Sequence, residues 1–258
     1  MNLIRTRGIV LKDFPLSEQD KVAYLFTRDH GIVKVVVKGA LRVKSRFAQL
    51  VQFPCCIDAL VYRRVGVELG TLSEATLRHG FPQIRGGVLR FAFASCVAEL
   101  ILAGLDVGEP NEQVYYLLVQ YLFVFERGAP ANFESVLSAF KLKLLRRLGY
   151  APELGRCIEC GRDRKTMKAF YFSPRGGIIC KDCQKKESQV VGVPPVTVSA
   201  MELLAHESPD VTLPADVQRV ERQVVELLDA YIAYHFERRV SAGRQLVDTL
   251  QGQGRGEG

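Results

Sequence analysis

Four cysteines constrain this chain more than any other feature. Cys157 and Cys160 form one CxxC pair, Cys180 and Cys183 a second, with nineteen residues between the pairs. Two such knuckles at that separation are a four-cysteine zinc signature. Four thiolates complete the tetrahedral shell that zinc prefers and leave no open position for water or substrate. The pattern predicts a structural zinc, not a catalytic one. A redox CxxC would want a strand-to-helix setting, whereas both pairs read as loops beside Gly161 and Gly176-Gly177. Basic residues crowd the segment: Arg156, Arg162, Arg164, Lys165, Lys168, Lys181, Lys185 and Lys186. Either they offset the negative charge of a tetrathiolate, or they form a surface for phosphates.

At 258 residues, 48% of them hydrophobic, the chain can bury more than one core. A net charge of +7 favours a polyanionic partner. Cys55, Cys56 and Cys96 sit among apolar neighbours and read as small core residues. Zinc thiolates together with spare free thiols point to a reducing cytoplasm. Met1 to Val10 contains no signal-peptide run. The longest apolar stretch, Val114 to Phe125, contains Gln120 and falls short of the roughly 20 residues of a membrane helix.

Residues 1–80 read as short strands: Arg7 to Lys12, Lys21 to Thr27, Ile32 to Lys38, Val51 to Phe53, Ile57 to Tyr62 and Val67 to Leu72. Turn residues separate them, which suggests a small sandwich or barrel. From residue 81 the period becomes helical, over Val88 to Leu105, Gln113 to Phe125 and Phe133 to Leu148. Asn132 is placed to cap the third helix and Gly149 to end it. After the cysteine segment, Ser199 and Glu202 fit a capping box that opens a short helix. Val217 to Phe236 is amphipathic. The expected division is therefore 1–80 for the strands, 81–150 with 195–248 for the helices, and 151–194 for the zinc segment. A glycine-rich tail at 249–258 reads as disordered.

Catalytic signatures are absent: no Walker A sequence, no HExxH and no GxSxG. His30, His79, His206 and His235 are scattered, and His79 reads as a loop residue. Glu18 and Asp20 share one turn and read as caps or ion-pair partners. An enzyme reading has no residues to rest on.

The charge, by contrast, is local. No acidic residue occurs from His30 to Ile57, and residues 1–80 carry thirteen Lys/Arg against seven Asp/Glu. Lys34 and Lys38, four apart, would share a strand face with Val36. Arg42, Lys44 and Arg46 alternate through the segment that follows. A positive groove on a small barrel is how oligonucleotide-binding folds hold strands, so these five cations are the candidate DNA contacts. Phe47 could stack on a base, but core burial is the simpler reading. On the third helix, Lys141, Lys143, Arg146 and Arg147 are either a solvated face near a helix C-terminus or a seat for an acidic partner.

These residues resemble a family, the RecO recombination-mediator proteins of bacteria. Gly8-Ile9-Val10-Leu11-Lys12, Ser17 to Val22, Leu25-Phe26-Thr27 and Gly31 look like its first two strands. Lys38-Gly39-Ala40 followed by Lys44-Ser45-Arg46 is similar to its basic stretch. Phe140 to Leu154 leading to Cys157, with Gly176-Gly177 before Cys180, resembles its helix-to-knuckle junction. The resemblance implies a multidomain α+β chain: an N-terminal OB-fold barrel, then a helical domain with an inserted four-cysteine zinc knuckle. It implies binding of single- and double-stranded DNA, annealing of complementary strands and, with RecR, help in loading RecA onto DNA coated by the single-stranded DNA-binding protein. It also implies a bacterial cytoplasmic location at the nucleoid. The alternative is a zinc-ribbon adaptor whose basic face docks an acidic protein.

Overall fold

A computed structural model describes residues 2–64, 66–129, 132–185, 187, 189–208, 214, 218–236 and 247. These residues group into two compact units, which part between Arg127 and Gly128.

The first unit begins with five strands: β1 (Asn2–Pro15), β2 (Lys21–Thr27), β3 (Gly31–Val37), β4 (Cys56–Arg63) and β5 (Leu69–His79). They close into a barrel in the order β1-β2-β3-β5-β4. All pairs are antiparallel except β3 with β5. This is the five-stranded Greek-key barrel of the OB-fold. One long strand makes closure possible. The first part of β1, Asn2 to Ile9, pairs with β4, and the part from Gly8 to Pro15 pairs with β2. The register shifts between Val10 and Lys12, and such a bulge bends a strand so that it can serve two sides.

Val10, Leu25, Val35, Ile57 and Val61 alternate into a fully buried interior. The chain between β3 and β4 adds Ala40, Phe47, Val51 and Cys55 to that same core. The strand expected at Val51 to Phe53 does not form. Every edge of a closed barrel is already paired, so no sixth strand forms: Val51 is buried in the core, while Gln52 and Phe53 are partly buried. At the β2–β3 turn Gly31 has φ +61, and a Cβ there would lie 2.1 Å from the Glu109 carbonyl oxygen. Only glycine fits that approach.

Helices α1 (Pro82–Gly86), α2 (Val88–Gly104) and α3 (Glu112–Arg127) complete the unit. They group with the barrel in one compact unit. The reason is aromatic packing: Phe26 meets Tyr115 and Phe53 meets Phe91 edge to face, at 5.8 and 5.5 Å between ring centroids. The short α1 has no periodic signal. It is held by the buried carboxylate of Glu126, which accepts from the Gln83 and Ile84 amides at 3.1 and 3.0 Å. His79 ends β5 and packs between Phe81 and Phe123, so it is no loop residue.

In the second unit, α4 (Phe133–Arg147) packs against α6 (Pro195–His206) and α7 (Glu221–His235). Asn132 precedes α4 but makes no side-chain cap bond. The C-terminus follows expectation. Gly149 has φ +81, its amide bonds to Arg146 O at 3.3 Å, and the Tyr150 amide bonds to Leu145 O at 2.8 Å, the Schellman pattern. The capping box at Ser199 is corrected. Pro195 opens α6 four residues earlier, because a proline suits the first helical position. Glu202 instead pairs with Arg164 at 2.8 Å. Between α4 and α6 lies a three-stranded sheet, ordered β7 (Gly177–Cys180), β6 (Phe170–Ser173), β8 (Val191–Val193), with one turn of helix, α5 (Lys181–Gln184). Lys186, Val217 and the tail at 249–258 lie outside the described residues.

Candidate metal centre and nucleic-acid interface

Four cysteine sulfurs converge in the small sheet. Cys157 and Cys160 flank a turn closed by the Gly161 amide on Cys157 O at 2.9 Å. Cys180 ends β7 and Cys183 sits on α5. The second pair is thus at a strand-to-helix junction, the setting that sequence reading reserves for redox pairs. What separates it from such a pair is the opposing knuckle: all four Sγ atoms lie within 4.8 Å of one another. A tetrahedral ion with metal–sulfur bonds of about 2.3 Å places its sulfurs about 3.8 Å apart. Cys160 and Cys180 are separated by 3.8 Å. The donor set and its spacing therefore fit a metal ion at the centre. Burial alone would raise the Cys157 thiol, but backbone amides of Cys160, Cys180 and Glu159 aimed at its sulfur bring it down to about 7. Ile179 and the partly buried Ile158, Met167 and Val190 pack beside the cluster.

The surrounding arginines are engaged. Arg162 pairs with Asp182 at 2.7 Å, Arg175 with Glu187 at 3.2 Å, and Arg156 with Glu153 at 3.4 Å. Lys165, Lys168, Lys181 and Lys185 stay exposed.

On the barrel, pairing aligns one side chain from each of three neighbouring strands. Lys12 lies opposite Tyr24, and Tyr24 lies opposite Lys34. The Lys34 ammonium sits 5.4 Å from the Tyr24 ring centroid, and Phe14 lies 6.1 Å from the same ring. The result is a row of two cations and two aromatic rings on the β1–β2–β3 wall. Lys34 also pairs with Glu68 at 3.0 Å. Lys38 lies one residue beyond β3 and is exposed, continuing the alternation in which Lys34 and Val36 are the less buried positions. It begins the exposed basic run of Arg42, Lys44 and Arg46. That run is anchored: Asp20 accepts from the Gly39 amide at 2.7 Å, and Arg42 donates to Gln19 at 2.8 Å. Arg46 donates to Ser73 O at 2.9 Å and covers the Phe47 ring at 4.7 Å. Phe47 is buried in the barrel core.

The four cations of α4 divide. Lys141 is buried and ion-paired with Asp229 of α7, so it leaves the partner surface. Lys143, Arg146 and Arg147 cluster at the helix end: Arg147 donates to Lys143 O at 3.1 Å, and Arg146 lies 3.4 Å from His206 Nδ1. Burial, and then the Arg147 charge, lower the Lys143 ammonium pKa.

Two family models cover nearly the whole chain. Residues 1–81 match "Recombination protein O N terminal", and residues 86–242 match "Recombination protein O C terminal". The chain belongs to the RecO family. Among curated relatives, the DNA repair protein RecO of Desulforamulus reducens is 29% identical over 100% of this chain and 99% of its own length. That of Rubrobacter xylanophilus is 34% identical over 80% of this chain and 82% of its own. That of Pelotomaculum thermopropionicum is 33% identical over 92% and 91%.

For this RecO-family chain, sequence reading missed Lys12, Phe14 and Tyr24. The signal was present, since a strand's outward positions repeat every second residue, but which strands become neighbours is set by barrel closure. Among the described residues, no helix is long and apolar enough to cross a membrane.

Proposed function

We propose that this chain is a mediator that makes and breaks no covalent bonds. It binds single- and double-stranded DNA, anneals complementary strands and, with RecR, assists RecA loading on DNA coated by the single-stranded DNA-binding protein. The observation that carries this reading is the Lys12–Tyr24–Lys34 row, with Phe14 beside it, running into Lys38, Arg42, Lys44 and Arg46. Aromatic faces stack bases without regard to sequence, and cations follow the phosphates. Neutralising two strands on one protein lowers their repulsion and raises their local concentration. The working site would be the bacterial nucleoid. The decisive experiment is a strand-annealing time course with naked and coated strands. Absence of acceleration on naked strands sinks the reading.

Zinc is the proposed metal, held by Cys157, Cys160, Cys180 and Cys183. With four thiolate ligands it acts structurally, fixing the small sheet.

Replacing Arg42 and Lys44 together by alanine is expected to weaken DNA binding across all sequences. The slope of log affinity against log salt should flatten by up to about two. A salt titration by fluorescence anisotropy checks this. Unchanged affinity and slope would move the phosphate contacts elsewhere.

Annealing and handover are expected to be separable. Lys143, Arg146 and Arg147 suit an acidic, apolar-ended tail on the single-strand binder. Reversing charge at Arg146 and Arg147 should slow annealing of coated strands while sparing naked ones. Equal loss on both substrates would assign the helix to DNA or to folding.

A further inference from the structure

The barrel carries a concave surface on strands other than β2 and β3. A cleft of about 760 Å3 opens on the outward side of β1, β4 and β5 and is walled by α3. Strand register builds its floor: Arg5 lies opposite Leu60, and Leu60 opposite Glu74, while Arg7 lies opposite Asp58. Asp58 is gripped by two guanidiniums, accepting from Arg7 at 2.7 Å and from Arg78 at 2.6 Å. Arg28 donates to Asp29 at 2.9 Å, and Tyr116 lines the same cleft. Tyr116 stands at the rim, 51% exposed, and is braced edge-on by Tyr115 at 5.8 Å.

Three features narrow the ligand. First, Arg7 and Arg28 are each about half exposed and fixed along one edge by a carboxylate, Arg7 through Nε on Asp58 and Arg28 through Nε and Nη2 on Asp29. A guanidinium held in this way can offer its remaining N–H groups to a phosphate oxygen without first losing side-chain freedom. Second, a braced, half-exposed tyrosine offers a stacking face for a base. Third, the cleft also holds Glu74 and Asp29, which would repel a continuous phosphate surface. They can, however, accept from exocyclic base amines. Such edges are presented freely by an unpaired strand, whereas a duplex presents its phosphates first.

We propose that this cleft binds a short segment of single-stranded DNA, with phosphate on Arg28 and Arg7 and a base on Tyr116, as a site separate from the Lys12–Tyr24–Lys34 face. It rests on the reading of the barrel as a strand binder and deepens it. One barrel would then hold two strands, as annealing requires.

The test uses the full chain and two non-complementary oligonucleotides, one labelled with a donor and one with an acceptor. Energy transfer between them reports both on one protein. For the Arg28→Ala/Tyr116→Ala variant, transfer is expected to fall and the second strand to bind at least about fivefold more weakly. Anisotropy of a single labelled strand should stay nearly unchanged. Tyr116→Phe should keep the second strand, since it retains the stacking ring, and it controls for folding. Undiminished transfer in the double variant would overturn the proposal and leave the cleft to a protein segment. Equal loss of first and second strands with the fold intact would also overturn it, by showing one continuous surface. Failure of the wider reading is seen separately, as Arg42→Ala/Lys44→Ala leaving first-strand affinity unchanged.

Discussion

Replacing Cys157 by serine is expected to release one tightly held zinc per chain and to unfold residues 151–193. The small sheet has strands of only three or four residues. Its core around the sulfurs is Ile179 with the partly buried Ile158, Met167 and Val190. A scaffold this small does not stand on apolar burial alone. Structural zinc in comparable peptides contributes about 10–16 kcal/mol near neutral pH, and that binding energy is folding energy. The Cys157 sulfur also accepts from the Cys180 amide at 3.4 Å, so its loss removes a link between the two knuckles as well as a ligand atom. Elemental analysis and a thermal melt check the outcome together. Protein purified under reducing conditions without zinc would sink the assignment, and a variant that keeps both metal and melting profile would deny Cys157 its role.

The second large effect is expected at Asp229. Lys141 is almost wholly buried between α4 and α7, and Asp229 is its ion-pair partner. Asp229→Ala leaves an ammonium in the interface without its carboxylate, at a cost of about 1–3 kcal/mol, less than for a pair buried on both sides because Asp229 is 40% exposed. Lys141→Met removes the charge and keeps the stem volume, so it should be close to neutral. The double variant should recover most of the loss. Chemical denaturation of the three proteins reads this directly. A neutral Asp229→Ala would mean that solvent reaches Lys141 and that it can return to the list of surface cations.

What the sequence made legible follows local physics. Helices α2, α3 and α4 were readable because apolar residues recur at three- and four-residue steps, and Gly149 marked a terminus that only a left-handed residue makes. The cysteine spacing located the four-sulfur cluster, because a tetrahedral donor set needs two knuckles and little else. Misreadings came where distant partners decide. Val51 to Phe53 has strand composition, but the closed barrel offered it no edge. Ser199 and Glu202 have cap spacing, but Pro195 had already started the helix. Lys141 looks like its cationic neighbours in sequence, and only α7 distinguishes it. Tyr24 joins Lys12 and Lys34 through pairing across three strands, a relation that no window of sequence contains.

The chain between β3 and β4 also carries the candidate phosphate contacts. Ala40, Phe47 and Val51 are interior, while Arg42, Lys44 and Arg46 between and beside them are exposed. Candidate contacts and core are therefore threaded on one stretch of chain. The basic run cannot be lengthened to reach further along a strand without drawing its neighbours out of the interior. Its cations behave as rivets on a fixed plate and not as a trailing arm, so adapting this protein to another nucleic-acid geometry calls for changed side chains on an unchanged loop length.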